Sequence, residues 1–231
     1  MIAENIAKIR ENMVRAALAA GRRPEEVLLC AATKMNDAAR VREAVAAGVD
    51  CCGENRVQEL TQKLSEHAYD GAPVHFIGHL QTNKVKQVVG KVALIQSVDR
   101  LELLRCIERE AEKQGILQDI LLEVNVAAEE SKSGFTPELA PEIAAQMVEY
   151  PHCRLRGLMA IPPISEKNGD NCRYFEKIHT IAVDITAKKY DNVCMDCLSM
   201  GMSEDFADAI ACGSTMVRVG TAIFGARHYN K

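Results

Sequence analysis

Residues 27–37 read VLLCAATKMND, an apolar run of strand length that ends in polar residues. A continuous apolar run of this length predicts a strand buried on both faces, as in a parallel sheet. Asp37 then predicts the N-cap of a helix, and Gly48 predicts its end. The segment therefore reads as one strand followed by one helix.

The same strand–helix unit recurs along the whole chain. Strands are predicted at 27–32, 49–52, 74–77, 93–97, 120–126, 155–161, 193–199 and 216–219. Helices are predicted at 2–20, 37–47, 56–67, 83–89, 101–114, 137–149, 174–188 and 204–211, with a last helical turn from Gly220. Unbroken alternation predicts an α/β fold with a parallel sheet and right-handed crossovers. Eight units favour a single (β/α)8 barrel, or TIM barrel, over residues 1–231. An open doubly wound sheet is the alternative.

Composition narrows the class of protein. The 231 residues are 48% hydrophobic and 26% charged with a net charge of -4, which argues against nucleic-acid binding through a basic surface. No apolar run approaches the roughly 20 residues that span a bilayer. The N-terminus is charged from Glu4 onward and does not resemble a secretory signal, so we expect a cytoplasmic location and no membrane association. A small barrel without a long exposed apolar segment is expected to be a monomer.

Nine cysteines are numerous for this length. Most lie in apolar runs, which predicts small buried side chains in a reducing compartment. Cys194 and Cys197 form a CxxC motif within a predicted strand, where period-two alternation sends them to opposite faces. No second CxxC or HxxxH completes a zinc site, so the spacing predicts no metal site.

Lys34 directly follows the first predicted strand. In such a barrel, functional side chains lie at the carboxyl ends of the strands. A lysine at the mouth of a buried strand loses solvation, which lowers its pKa and makes its amine a better nucleophile. A carbonyl cofactor such as pyridoxal phosphate uses an amine of this kind. The competing interpretation is that Lys34 only extends to solvent.

Two glycine-containing turns follow the seventh and eighth strands, where this barrel often binds phosphate. The first comprises Met200, Gly201, Met202 and Ser203, and the second comprises Gly220 and Thr221. Amides at a helix start offer donors and a positive dipole end to an anion, and Ser203 could alternatively cap its own helix. Arg218 alternates with Val217 and Val219, so its guanidinium is predicted to face a pyridine nitrogen inside the barrel or, alternatively, a core carboxylate.

Three further polar residues follow predicted strands. The Asn55 amide could contact a ring or its phenolic oxygen, although a turn or cap role is equally expected. His79 has no paired carboxylate in the sequence pattern, which favours a rim position over catalysis. Lys132 lies in the loop 127–134, either a mobile lid or a solvated loop.

Seven stretches together resemble the pyridoxal phosphate homeostasis protein family. They are TK (33–34), GENRVQE (53–59), HFIGHLQTNK (75–84), SKSGF (131–135), RGLMAI (156–161), LSMGMSEDFADAI (198–210) and GSTMVRVGTAIFGAR (213–227). Many relatives carry an aromatic residue where Cys52 and Val74 stand here, which alters packing rather than cofactor contacts.

The resemblance implies the barrel fold of the alanine racemase N-terminal domain. It further implies a protein of vitamin B6 homeostasis that binds pyridoxal 5′-phosphate as a Schiff base, has no established catalysis, and buffers the cofactor or delivers it to apoenzymes. By the same resemblance, Lys34 is the Schiff-base lysine, Asn55 lies beside the cofactor and Arg218 faces the pyridine nitrogen. Ser203, Gly220 and Thr221 hold the phosphate, helped by amides near Met200, Gly201 and Met202.

Two other functions stay open at this stage. A pyridoxal-phosphate-dependent amino-acid racemase is the main alternative, but it needs a second domain and a second base, which His79 or Lys132 would have to supply. A barrel that binds another phosphorylated metabolite would use the two glycine turns but leave Lys34 unexplained.

Overall fold

Eight parallel strands close into a barrel in sequence order, in a computed structural model that describes residues 1–129, 132–163 and 169–225. The strands are β1 (Leu28–Ala32), β2 (Cys51–Glu54), β3 (Val74–Phe76), β4 (Leu94–Val98), β5 (Gln118–Val124), β6 (Cys153–Ala160), β7 (Val193–Ser199) and β8 (Met216–Val219). The predicted barrel is confirmed, and the open doubly wound sheet is wrong because β8 pairs with β1. That pairing sets Leu28 opposite Met216 and Cys30 opposite Arg218.

Helices surround the barrel. They are α1 (Ile2–Ala19), α2 (Ala38–Ala46), α3 (Val57–Ser65), α4 (Leu101–Gln114), α5 (Leu139–Ala145), α6 (Cys172–Lys188), α7 (Phe206–Ala211) and α8 (Thr221–Phe224), with short 3₁₀ helices at Pro24–Glu26, Thr82–Gln87 and Gln146–Glu149. Asp37 caps α2 as predicted, because its side chain accepts a hydrogen bond from the Arg40 amide. Within the described residues, no helix combines the length and the apolarity needed to cross a membrane.

Two predicted helices differ from those observed. The segment predicted as an α-helix at 83–89 is a 3₁₀ helix whose one buried side chain is Val85, so it lacks the apolar face that stabilises a longer helix. The segment predicted at 137–149 changes from α to 3₁₀ geometry at Gln146. Neither change affects the order of the strands.

Alternate residues of each strand point into the barrel. Cys30, Cys51 and Met216 pack together there, and Leu94, Leu121 and Met159 form a second interior cluster, with Cys197 packed against both. Period-two alternation then directs the residues two positions later toward the carboxyl-terminal mouth. The same strands therefore supply an apolar floor and the polar rim above it.

Candidate functional site

Four neighbouring strands, in the order β2, β1, β8 and β7, bring the predicted cofactor residues to one side of the rim. Ala32 pairs with Gly53, so Lys34 and Asn55 each lie two residues beyond adjacent strand positions. On the other side, a Cβ placed on Gly220 would contact Ala32 at 3.4 Å. Lys34, Gly220 and Thr221 line a common cavity of about 610 Å³.

Hydrogen bonds fix the backbone on both sides of Lys34. The Thr33 amide donates to the Gly53 carbonyl at 2.8 Å. Met35 has a left-handed φ of 61°, and its amide donates to Glu59 Oε2 at 2.7 Å. A non-glycine residue in that region carries strain that the surrounding bonds must hold. The turn is therefore held in a defined shape that directs the half-buried Lys34 side chain.

A buried ion-pair network lies behind this turn. Lys63 Nζ donates to Glu54 Oε2 at 2.6 Å, to Glu59 Oε2 at 3.1 Å and to the Thr33 carbonyl at 2.8 Å. The Tyr69 hydroxyl also donates to Glu54, and burial together with that carboxylate raises the pKa of Tyr69. Sequence analysis missed the network because its members come from separate elements, and the i,i+4 pair of Glu59 and Lys63 was its only local signal.

Asn55 is held by a close backbone approach from the next strand. A Cβ on Gly78 would lie 2.2 Å from the Asn55 carbonyl oxygen, so only glycine fits there. The backbone N–H of Asn55 donates to Glu54 Oε1 at 2.7 Å. Its side-chain Oδ1 is buried with no hydrogen-bond partner in the described chain. A buried acceptor without a donor is costly, which indicates that a ligand supplies one.

The two predicted phosphate turns meet beside Lys34, with some differences from expectation. Gly201 has a φ of +94°, and a Cβ there would lie 2.6 Å from Ala209 Cβ, so glycine lets α7 approach closely. Ser203 does not cap α7; its Oγ accepts a 3.4 Å bond from the Ala222 amide of α8 and so links the two turns.

The backbone amides of the first turn are only partly available. Met200 donates its amide to Met216 and Met202 donates its own to Asp205, so neither amide faces an anion as predicted. The Gly201 and Thr221 amides carry no hydrogen bond within the parts of the chain that the structure covers. The backbone amides of Ser203 and Gly220 likewise carry no hydrogen bond among the described residues. These four amides and the Ser203 hydroxyl are available to an anion.

Arg218 lies buried below the rim, with 5% of its surface exposed. Its NH1 group donates to the Ser199 carbonyl and hydroxyl, each at 2.6 Å, and its NH2 group donates to the Ala160 carbonyl at 2.9 Å. These acceptors are neutral, so the bonds that Arg218 makes within the described residues do not include the core carboxylate of the alternative interpretation. Burial lowers the pKa of Arg218. A guanidinium has five N–H donors, and the three bonds leave capacity for a ligand atom.

An acidic side chain on β5 interacts electrostatically with Arg218. Glu123 on β5 has a pKa raised to about 7, chiefly by burial and then by the charge of Asp99, with Arg218 acting in the opposite direction. Asp99 accepts a bond from Arg100 NH1 and lies 3.0 Å from His79 Nδ1. The premise that His79 has no paired carboxylate is therefore wrong, although its side chain is 55% exposed at the rim as predicted.

Lys132 lies on the β5–α5 loop, where its Nζ pairs with Glu129 Oε1 at 3.0 Å. The lid prediction for 127–134 also includes Glu130 and Ser131, which lie outside the described residues. That prediction stays open.

Known proteins match this chain over nearly its full length. The family described as alanine racemase, N-terminal domain, matches residues 5–228. The pyridoxal phosphate homeostasis protein of Aquifex aeolicus is 42% identical, over 98% of this chain and 98% of its own. Its counterpart in Escherichia coli K12 is 42% identical over 100% of this chain and 98% of its own.

A solved structure agrees with these matches. PipY of Synechococcus elongatus, solved with PLP bound, superposes with a TM-score of 0.83 at 32% identity. The match covers 97% of this chain and 100% of PipY.

Proposed function

Because this chain belongs to the pyridoxal phosphate homeostasis protein family, we propose that it binds pyridoxal 5′-phosphate as a Schiff base with Lys34 and buffers or delivers it. The observation that carries the proposal is the common cavity of Lys34 with Gly220 and Thr221. The aldehyde of the cofactor requires a lysine amine. Its phosphate requires a helix N-terminus whose backbone amide makes no other hydrogen bond.

Residues that line this cavity, and others outside its lining such as Asn55 and Arg218, fit the cofactor. The orphaned Asn55 Oδ1 provides an acceptor beside the ring, and the Gly201 and Thr221 amides with the Ser203 hydroxyl provide donors for the phosphate. Arg218 has donor capacity left and no carboxylate bonded to it, which suits the pyridine nitrogen. Met200 and Met202 contribute through the shape of their turn, since their amides are bonded within the chain.

Residues of the chain position the groups that bind the cofactor. The Lys63–Glu59 side of the ion-pair network orients the turn that carries Lys34, and Thr221 begins the helix that receives the phosphate. The cofactor supplies an aldehyde, which condenses with the lysine amine and releases one water.

We propose that the bound protein is a monomeric carrier and not a racemase. Arg218 stays protonated, so it donates to the pyridine nitrogen and disfavours its protonation, and this weakens the ring as an electron sink. The competing racemase needs a second base, which His79, paired with Asp99, or Lys132 would have to supply. We expect the bound cofactor to be transferred to the apo forms of pyridoxal-phosphate-dependent enzymes.

The test is borohydride reduction of the cofactor-loaded protein followed by peptide mass mapping. We expect the phosphopyridoxyl mass on the peptide containing Lys34, and loss of the adduct and of the visible absorption in Lys34→Ala. Lys132→Ala serves as the matched control and should retain both.

Two results would count against the proposal. A full adduct on another lysine in Lys34→Ala would remove Lys34 from its role. Sustained racemisation of amino acids by the loaded protein, lost in His79→Gln, would establish the racemase instead.

A further inference from the structure

Two thiols and an imidazole meet inside the barrel, below the cofactor site. The cluster of Cys30, Cys51 and His75, here called the Cys–His cluster, comes from β1, β2 and β3. One ligand atom from each lies within 4.8 Å of the others, and all three residues are buried. Among the described residues, it is the one group of three or more His, Cys, Asp or Glu side chains close enough to hold a metal ion.

The spacing of these atoms suits a small cation. With bond lengths of about 2.0–2.3 Å, ligand atoms around a tetrahedral zinc lie roughly 3.3–3.8 Å apart. The Cys–His cluster therefore needs each atom to move by no more than about 1 Å to close around an ion. Strand register supports this, because Cys30 and Cys51 are direct partners on adjacent strands.

Neighbouring side chains supply further ligands and support. Met216 packs in the same interior cluster as the two cysteines, with Cys197 against it, so a sulfur is at hand as the fourth ligand. Gln96 bonds to His75 Nδ1 at 2.9 Å and accepts from the Ser199 hydroxyl at 2.6 Å, which holds the imidazole ring in place. A side-chain amide can present either nitrogen or oxygen to the ring, so Gln96 can serve either tautomer.

A second cavity gives access from the opposite end of the barrel. It has a volume of about 440 Å³, lies at the amino ends of the strands, and reaches His75, Cys197 and Met216. Carboxylates of Glu25, Glu26, Asp119 and Asp196 line it, with Arg156 among them. An ion could therefore reach the Cys–His cluster without crossing the cofactor pocket.

We propose that Cys30, Cys51 and His75 bind one thiophilic closed-shell cation, Zn²⁺ or Cu⁺, with a sulfur of Met216 or Cys197 completing the site. Thiolate, thioether and imidazole are the donors these two ions share. Binding replaces two thiol protons when Met216 completes the site and three when Cys197 does. These protons leave to solvent through the second cavity, and no electron is transferred. The prediction of no metal site considered only the spacing of ligands along the sequence, and the proposal of a site built from three strands is its alternative.

The test measures cation binding by reduced, chelator-stripped protein without cofactor. Zn²⁺, and anaerobically Cu⁺, are titrated against a chromophoric chelator, and the tighter of the two identifies the ion. We expect one cation per chain, and at least tenfold weaker binding in the double variant Cys30→Ser/Cys51→Ser. The matched control is Cys172→Ser/Cys212→Ser, which removes another pair of hydrogen-bonded thiols and should bind as wild type does.

The variant Cys30→Ser/Cys51→Ser could fail to fold. X-ray absorption at the metal edge of the wild-type complex then tests the site directly. A shell of at least two sulfur atoms and one nitrogen supports the site. No binding by the wild type, a shell of oxygen and nitrogen alone, or equal loss in the control variant would overturn it. Because no readout uses the cofactor, the result is independent of the function proposed above.

Discussion

Glu123 carries a carboxyl group whose pKa is raised by the fold into the neutral range. Burial inside the barrel and the nearby charge of Asp99 raise its pKa to about 7, against a weaker opposing effect of Arg218. The folded protein therefore binds a proton at Glu123 that the unfolded chain has released above its ordinary pKa near 4.5. Stability from this group is fully present below the unfolded pKa and is lost as the pH rises from about 4.5 to about 7.

Replacing Glu123 by glutamine should remove this dependence. At pH 8 we expect the free energy of unfolding of Glu123→Gln to exceed that of the wild type by roughly 1–3 kcal/mol, because a neutral amide avoids burying a charge. At pH 4.5 and below the two proteins should be nearly equal. Urea unfolding of cofactor-free protein across this range measures the difference. An advantage for the variant that is the same at every pH would contradict the assigned pKa.

Position within or just after a strand was enough to select several candidate residues. Lys34, Asn55 and Arg218 could be selected because alternation and the barrel rule give their place. Glu123 and the partner of His79 could not, since their environment depends on contacts across the barrel from other strands. Nothing in a single sequence states which side chains meet inside a closed sheet.

At the scale of elements, α3 is joined to the end of β1 through Lys63. This ammonium bridges Glu54 on β2 and Glu59 on its own helix, and it also bonds to the Thr33 carbonyl before Lys34. Two buried or half-buried carboxylates thus depend on one cation. The helix does more than cover the sheet: it fixes the turn that carries the proposed cofactor lysine.

Lys63→Met should separate these elements. Removing one partner of a buried ion pair leaves an uncompensated charge, so we expect a loss of about 3–5 kcal/mol in the free energy of unfolding. Cofactor affinity should fall as well, because the Lys34 turn loses a bond. Lys8→Met, at an exposed position on α1, is the matched control and should change stability little.

The double variant Glu54→Gln/Lys63→Met separates lost charge balance from lost packing. It should recover part of the stability, since both charges are gone. A double variant no better than Lys63→Met alone would mean that packing, and not charge, accounts for the effect.

Element boundaries were predicted less well than element order. The regular alternation of apolar runs and helical patterns was enough for eight strands in sequence. The 3₁₀ geometry at Thr82–Gln87 and the start of α7 at Phe206 depend on local bonds, such as that from Met202 to Asp205, which the pattern of apolar residues does not contain.

At the scale of the whole molecule, the barrel closes by pairing its first and last strands. The proposed pocket lies on this seam, because Lys34 follows β1 while Gly220 and Thr221 follow β8. Arg40 of α2 bonds to the Phe224 carbonyl of α8 across the same seam. The pocket therefore exists only when the barrel is closed.

Cofactor release should then coincide with global unfolding. In urea, we expect the loss of cofactor absorption and the loss of helical circular dichroism to share one midpoint, as two probes of one cooperative transition do. The reduced, covalently fixed adduct controls for simple dissociation, since its absorption can change only with the surroundings of the ring. Loss of that signal well before the helical signal would mean that the seam opens locally first.

The seam also has a consequence for biosynthesis. The bond between Arg40 and Phe224 joins residues 184 positions apart, so the ribosome makes the lysine side of the pocket long before the phosphate side. At roughly 5–20 residues per second, that interval is on the order of 10–40 s. A nascent chain thus has nowhere to hold its ligand until β8 and the turn after it have emerged, so the ability to bind cofactor is acquired only after the eighth strand has been made.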